Sequence, residues 1–367
     1  HGAYSLHNSF EKLEPSRADP TSTTNEAGAE VRKLFDILPP DMLSTVLSDN
    51  MVGMMTEIVL DLERRPLVRY ISTDPDRTCL CGSLPGREVN RADLEYICQR
   101  VGDFSSDNRS GLTSTLHRIS RKLNRSGDVI ALTLRVGRAV EGTTAMITDI
   151  VHSKRSVLLL GVPGVGKTTV LREYSRLLAN KDNTRVEIVD TSNEIAGDGD
   201  VPHKSVGMAR RMMVADRKEQ YKVMIEAVQN HMPEVIVVDE IGTKLEAQAV
   251  ADISQRGVKI VATAHGIELA DILRNPELSR LMGGTHTVVL GDDEMKKRKV
   301  TSKSVRERKA PPVFDTIIEL RNQRQWYIYH DTAVAVDDIL ADRTPVVEIR
   351  SMDPAGHISA RKSKLIY

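Results

Sequence analysis

The stretch Val157–Val170, VLLLGVPGVGKTTV, limits what this chain can fold into more than any other. An apolar run, Val157 to Leu160, leads straight into Gly161-Val162-Pro163-Gly164-Val165-Gly166-Lys167-Thr168. That is a complete G-x-x-x-x-G-K-[ST] phosphate loop, set between a predicted strand and a predicted helix. Its glycines let the backbone curl until several N–H groups converge, a concave nest for phosphate oxygens. The helix that starts near Lys167 adds its positive dipole end to the same point. Lys167 is placed to reach the β- and γ-phosphates, and the Thr168 hydroxyl to ligate Mg²⁺. Gly161 through Thr169 is therefore the predicted nucleotide cradle. A glycine-rich turn that matches by accident is the plain alternative, and the flanking strand and helix argue against it. The expectation is an α/β core that binds a nucleoside triphosphate.

A second motif, EVIVVDEIGT (234–243), narrows the chemistry. Val235–Val238 is a continuous β-branched run, as in a strand covered on both faces. Asp239 ends the run and Glu240 follows. An aspartate at this place can hold Mg²⁺ through water as the partner of Thr168, and the adjacent glutamate can polarise an attacking water. A strand-end acidic pair alone is weak; downstream of a complete phosphate loop it points to hydrolysis. The strand VKIVATA (258–264) brings Thr263 and then His265 to the same edge, where they are placed to sense the γ-phosphate. A lone histidine is more often structural. The predicted catalytic set is Glu240, Lys167 and His265, with Thr168 and Asp239 on the metal. Asp190 and Glu194 lie just past the strand 185–190; Glu194 either orients water or a metal, or caps a backbone group. Asn180-Lys181-Asp182-Asn183 resembles the guanine-reading N-K-x-D but ends in Asn and directly follows the first helix, so ATP is expected over GTP.

Composition sets the outer bounds. Basic and acidic residues balance at 51 each, so no global field announces a nucleic-acid or membrane partner. No apolar run is long enough to cross a bilayer. Three cysteines, Cys79, Cys81 and Cys98, are too few and odd in number for a disulfide framework, which favours a reducing compartment. The Cys79-x-Cys81 spacing is not the usual metal pattern.

Within 367 residues there is room for two or three domains. Residues 1–30 read as a disordered tail, 31–140 as an N-terminal α+β domain, and 141–292 as the ATPase core. A basic linker (293–310) and a β-rich extension (311–367) follow. The chain opens on His1, so a processed chain or a fragment is expected, and the acidic residues of the tail do not suit a transit peptide.

In the N-terminal domain, helical spacing of apolar residues predicts helices near 31–38, from Met42, over 93–101 and over 108–123. Alternation at Ile58, Leu60 and Leu62 predicts a strand, as does the apolar run 129–136, while 72–90 reads as a loop. Its arginines Arg109, Arg118, Arg135 and Arg138 either meet nucleotide or a neighbouring subunit, or form a solvated face. From Thr143, strand and helix alternate (helices 167–179, 217–231 and 244–256), which implies a parallel sheet with crossover helices. The basic stretch 294–310 has no interleaved aromatics for stacking bases and reads as a solvated linker rather than a nucleic-acid site. Segments within 313–350 read as antiparallel strands closing or extending the sheet, with Trp326 in the core.

Across residues 31 to 345 the chain resembles the plastid and cyanobacterial family of P-loop ATPases related to stage III sporulation protein AA. The likeness is carried by FSSDNRSGL (104–112), LTLRVGRAVEG (132–142), LLGVPGVGKTTVLRE (159–173) and VEIVDTSNEIAGDGDVPH (186–203). IEAVQNHMPEVIVVDEIGTKLEA (225–247), ATAHG (262–266) and LGD (290–292) complete it. The resemblance implies a RecA-like P-loop core similar to secretion motors, ATP and Mg²⁺ as ligands, and homo-oligomeric rings, hexamers in the simplest case, with nucleotide at subunit interfaces. On that model an arginine from a neighbour stabilises the transition state, with Arg210, Arg211 and Arg256 as candidates. It also implies a soluble protein of the plastid, with the mitochondrion as the other location. Many members of the family carry a further C-terminal domain with an Arg and His signature for single-stranded nucleic acid, a pattern not found in these 367 residues.

Overall fold

In a computed structural model of the chain, the described residues are 30–47, 54–71, 79–153, 155–291, 295 and 304–364. Of the tail expected over 1–30, residues 1–29 fall outside them, while Glu30 is helical and not part of a tail; 293–294 and 296–303 of the basic stretch also fall outside.

Helices α1 (30–35) and α2 (Pro40–Leu47) open the described chain. Strands β1 (Met55–Asp61), β2 (Leu67–Ile71) and β3 (Cys79–Ser83) follow, then helix α3 (Arg91–Cys98). Strands β4 (Arg109–Gly111), β5 (Arg118–Leu123) and β6 (Val129–Arg135) complete a six-stranded antiparallel sheet in the order β3-β2-β1-β6-β5-β4. In β1 the buried residues Met55, Ile58 and Leu60 face the helices, and the residues between them are half-exposed. Asn90 and Asp93 cap α3 reciprocally, which fixes its start.

Two expectations fail here. The helix read over 108–123 is instead β4, an irregular link and β5. Leu112, Leu116 and Ile119 do have helical spacing, but Ser114 adopts φ 57°, which no helix accommodates. The loop read over 72–90 holds β3, whose Cys-Leu-Cys-Gly sequence lacks strand formers and is set by its pairing with β2.

Past the first sheet come α4 (Thr148–His152), β7 (Val157–Gly161), α5 (Lys167–Asn180), β8 (Val186–Asp190) and β9 (Arg210–Met213). Next are α6 (Gln220–His231), β10 (Val235–Ile241), α7 (Lys244–Gln255), β11 (Lys259–Ala264) and α8 (Leu269–Arg274). The ribbon β12 (Thr285–Val289) and β13 (Ser304–Arg308) precedes β14 (Thr316–Asn322), β15 (Gln325–Tyr329), α9 (Thr332–Leu340), β16 (Val346–Met352) and β17 (Ile358–Lys364).

The second sheet has nine strands in the order β17-β16-β15-β14-β7-β11-β10-β8-β9. From β14 to β9 every pairing is parallel. The core strands β7, β8 and β10 are buried along nearly their whole length, as two covered faces require. Val157 and Leu159 point to one face with α4 and α5; Leu158 and Leu160 point to the other with α6 to α9. This is the α/β core with a parallel-rich sheet that the motifs predicted. The extension differs in two respects: β14 runs parallel to β7, and α9 interrupts the strands. Trp326 is buried, as expected. In the basic stretch, β13 pairs with β12, and Arg308 forks onto Asp337 of α9 at 2.7 and 2.8 Å.

Candidate functional site

The phosphate loop leaves β7 at the carboxyl edge of the parallel strands, where α/β sheets bind ligands. The backbone is left-handed at Gly164 (φ 79°) and Gly166 (φ 110°), and a methyl added at either would meet nothing within 4 Å. Both therefore bound an open cradle, with backbone angles that favour glycine. Val165 is buried and anchors the loop from below; Val162 remains exposed. Gly161 donates its N–H to the Gly266 carbonyl at 3.1 Å, tying the loop to the segment after β11. Lys167 lies at the first turn of α5 and donates to the Gly161 carbonyl at 2.6 Å, and Thr168 and Thr169 follow on the same turn. Burial lowers the Lys167 pKa, and the charges of Asp239 and Glu240 oppose that.

Although β11 lies between the phosphate-loop strand and β10, the two motifs meet. Thr168 Oγ1 donates to Asp239 Oδ2 at 3.1 Å, and Thr263 Oγ1 of β11 donates to Asp239 Oδ1 at 2.6 Å. The same Thr263 oxygen accepts the Glu240 N–H at 2.8 Å. Burial raises the Asp239 pKa, with the bonds from Thr263 and Thr168 holding it back. Its two oxygens and the Thr168 hydroxyl form a hard-oxygen donor set of the kind that suits Mg²⁺.

Glu240 departs from the strand. Relative to β11, β10 carries one extra residue between Val238 and Ile241, and Glu240 takes φ 60°. A left-handed backbone costs about 1–2 kcal/mol for a residue with a Cβ, and the Thr263 hydroxyl is what holds it. The bulge turns the Glu240 carboxylate outward, where Arg217 Nη2 pairs with it at 2.6 Å and His265 Nε2 stands 3.4 Å from its other oxygen. Expectation and geometry agree that Lys167, Thr168, Asp239, Glu240, Thr263 and His265 share one edge.

The remaining acids divide. Asp190, fully buried at the end of β8, accepts from the N–H groups of Glu194, Ile195 and Ala196. Burial pushes it up to about 7, with the Asp239 charge adding and the backbone bonds opposing. Among the described residues the Glu194 carboxylate caps no backbone group; it pairs with Arg118 of β5. That contact brings the six-stranded sheet to the rim of the site. Burial lowers the Arg118 pKa to about 10, with Arg135 and Arg109 adding to the effect and Glu240 opposing it. The seam continues through Gly111 N–H to Asp198 Oδ2 at 2.8 Å and His203 Nε2 to Glu30 Oε1 at 2.7 Å.

Other candidates lie elsewhere. Arg211 donates to the carbonyls of Gly197 and Gly199 in its own loop, Arg210 stands 3.9 Å from Glu187, and Arg256 is exposed just after α7, which runs back from the ligand edge. In the guanine-like tetrad, Asn180 Oδ1 accepts the Met208 N–H at 2.8 Å and Asp182 pairs with His152, so both serve the fold. Arg217 and Gln220, whose amide donates to the Asp239 carbonyl at 3.2 Å, escaped the sequence reading because ADRKEQ carries no motif. Among the described residues no group of three or more His, Cys, Asp or Glu could hold a metal by itself, and no helix is long and apolar enough to cross a membrane.

Comparison with known proteins follows the same lines. The family model "Sporulation stage III, protein AA" matches residues 108–306. Uncharacterized protein ycf45 of Porphyra purpurea is 47% identical over 329 residues, covering 90% of this chain and 57% of that protein. Protein SEEDLING PLASTID DEVELOPMENT 1 of Arabidopsis thaliana is 47% identical over 337 residues, 92% of this chain and 48% of that one. The chain thus spans about half the length of these curated relatives. Among solved structures, the pilus retraction motor PilT with bound ADP superposes at a TM-score of 0.47 with 12% identity, over 65% of this chain and 76% of that chain. At that score the superposition is loose, and no residue's role follows from it.

Proposed function

The chain belongs to the sporulation stage III protein AA family, and from that premise we propose that it binds ATP with Mg²⁺ and hydrolyses it. The carrying observation is the chain of contacts Thr168–Asp239–Thr263–Glu240 beside an open phosphate cradle. In this reading the N–H groups of Gly161 through Thr169 hold the phosphates, and Lys167 neutralises the β- and γ-oxygens. Thr168 and Asp239 hold Mg²⁺, which supplies charge stabilisation when bound. Glu240 accepts a proton from water as its oxygen bonds to the γ-phosphorus. The bond to the β-phosphate bridging oxygen breaks, ADP leaves with that electron pair, and the proton passes to the released phosphate. His265, beside Glu240 and linked through Gly266 to the loop, couples the γ-phosphate to movement.

Side-chain exposures of 45% at Glu240 and 54% at His265 leave this edge open to a second copy, which supports a ring with nucleotide between subunits, a hexamer in the simplest case. An oligomeric motor or remodelling ATPase is the role that fits. Arg210 and Arg256, both exposed, are the better candidates to reach a neighbour's site, since Arg211 is tied to its own loop. The plastid is the compartment we propose, from the name of the Arabidopsis relative; the mitochondrial alternative gains nothing from the comparisons.

Glu240→Gln is the test. Mg²⁺-dependent turnover should fall at least about a hundredfold while ATP binding persists, as for loss of a catalytic base, and sizing with ATP should show assembly. Tight ATP binding by a monomer without turnover would instead favour an ATP-dependent switch that recruits a partner such as nucleic acid.

A further inference from the structure

Arg217 is the feature of the site that the hydrolysis scheme leaves unused. It sits on the short turn before α6, whose geometry Asp216 fixes by accepting the Lys218 N–H at 3.0 Å. Its guanidinium meets one oxygen of Glu240 at 2.6 Å, while His265 stands by the other. Both carboxylate oxygens therefore have a partner already, and the Arg217 contact has to open before a water can take its place at Glu240.

The surroundings say what would loosen it. Glu240 adjoins Asp239, which accepts from Thr168 at 3.1 Å, so Arg217 pairs with the neighbour of the carboxylate that meets the phosphate-loop helix. A triphosphate arriving at the loop adds negative charge beside two carboxylates, and an arginine fork matches phosphate oxygens as well as it matches a carboxylate. Arg118 is less able to respond, since it is paired with Glu194 and only 19% exposed. The Arg217 side chain is 53% exposed and reaches in from a solvent-facing turn.

We propose that Arg217 is a γ-phosphate ligand supplied by the same chain, exchanging the Glu240 carboxylate for a terminal phosphate oxygen and so releasing Glu240 to act on water. This rests on the nucleotide reading above and adds a mechanism by which the base becomes available only when a γ-phosphate is present. An ADP-bound site would leave the Arg217–Glu240 pair closed.

The experiment compares equilibrium binding of ADP and of the non-hydrolysable imido analogue of ATP, each with Mg²⁺, to the full chain and to its Arg217→Gln and Arg217→Lys variants. Arg217→Gln should weaken the imido analogue about tenfold and leave ADP within about twofold, the size expected for one charge-assisted hydrogen bond to the terminal phosphate. Arg217→Lys should recover part of the loss and guards against a folding defect. Equal weakening of both nucleotides, or of neither, overturns the proposal while the nucleotide site stands. A native chain that binds neither nucleotide sinks both readings together.

Discussion

The two sheets of this protein solve different problems. The nine-stranded sheet is covered on both faces, and its central strands are rich in Val, Ile and Leu, with Asp190, Asp239 and Glu240 at their carboxyl ends. The six-stranded sheet buries one face against its helices and spreads arginines over the remainder. A covered parallel sheet gives a rigid edge where Asp190 and Asp239 are held out of water while Glu240 is turned outward. A half-exposed antiparallel sheet gives an adaptable surface that reaches this edge through Arg118, Gly111 and the Glu30–His203 pair. The difference teaches where chemistry and where coupling should reside.

Lys167→Ala should do the greatest damage, and only to the nine-stranded side. Loss of the half-buried charge proposed to meet the phosphates should weaken ATP by about a hundredfold or more, read by nucleotide titration, with little change in melting temperature. An unaltered affinity would place the phosphates elsewhere. Gly197→Ala tests the seam instead. A methyl there would stand 2.6 Å from the Thr115 carbonyl at φ 77°, so a loss of about 3 kcal/mol is expected from overpacking and strain. Denaturant unfolding reads it, and an unchanged midpoint would show that the sheets are not held as described.

Thr263→Val should cost about 2 kcal/mol, because it removes a donor to Asp239 and the acceptor for the Glu240 N–H. Turnover should fall more than ATP affinity does, since the strained Glu240 backbone loses its support. If turnover and affinity fall equally, Thr263 acts on the loop and not on the base.

Acid should act with opposite signs on the two regions. Asp190 has its folded pKa raised to about 7 by burial, above the unfolded carboxyl value, so the folded state binds the extra proton and this group stabilises as pH falls from 7. The slope is on the order of 1 kcal/mol per pH unit between about 7 and 4, and Asp190→Asn should flatten it. Against the upward push of burial, the hydrogen bond and charge of His203 hold Glu30 below its ordinary value. Its contribution is present above the unfolded carboxyl pKa and lost as pH falls through the folded one. Melting curves of Glu30→Gln against pH should therefore diverge from the native chain at neutral pH and converge in acid, the smallest of these effects. Convergence at neutral pH would remove Glu30 from the seam.

Legibility followed the same division. Strands such as VLLL, VEIVD and VIVVD announce themselves because a doubly covered strand must be largely apolar, and the loop glycines announce a phosphate nest. In the six-stranded sheet the signal was weaker: Leu112, Leu116 and Ile119 mimic a helical stripe, and Cys-Leu-Cys-Gly mimics a loop. The short strand Arg-Arg-Met-Met of β9 has no pattern at all and exists because β8 offers it an edge. Arg217 lay in an undistinguished charged stretch, and only the fold brings it to Glu240.

The sequence by itself determined the parallel core, the phosphate loop and the acidic pair, because each is a local pattern in which neighbours along the chain also act together. The tertiary structure decided that Thr263 joins Asp239 to Glu240, that a bulge turns Glu240 toward Arg217 and His265, and that Arg118 closes on Glu194. Those contacts join residues far apart in the chain, and their positions depend on strand order, register and one left-handed residue, none of which is encoded in any single stretch.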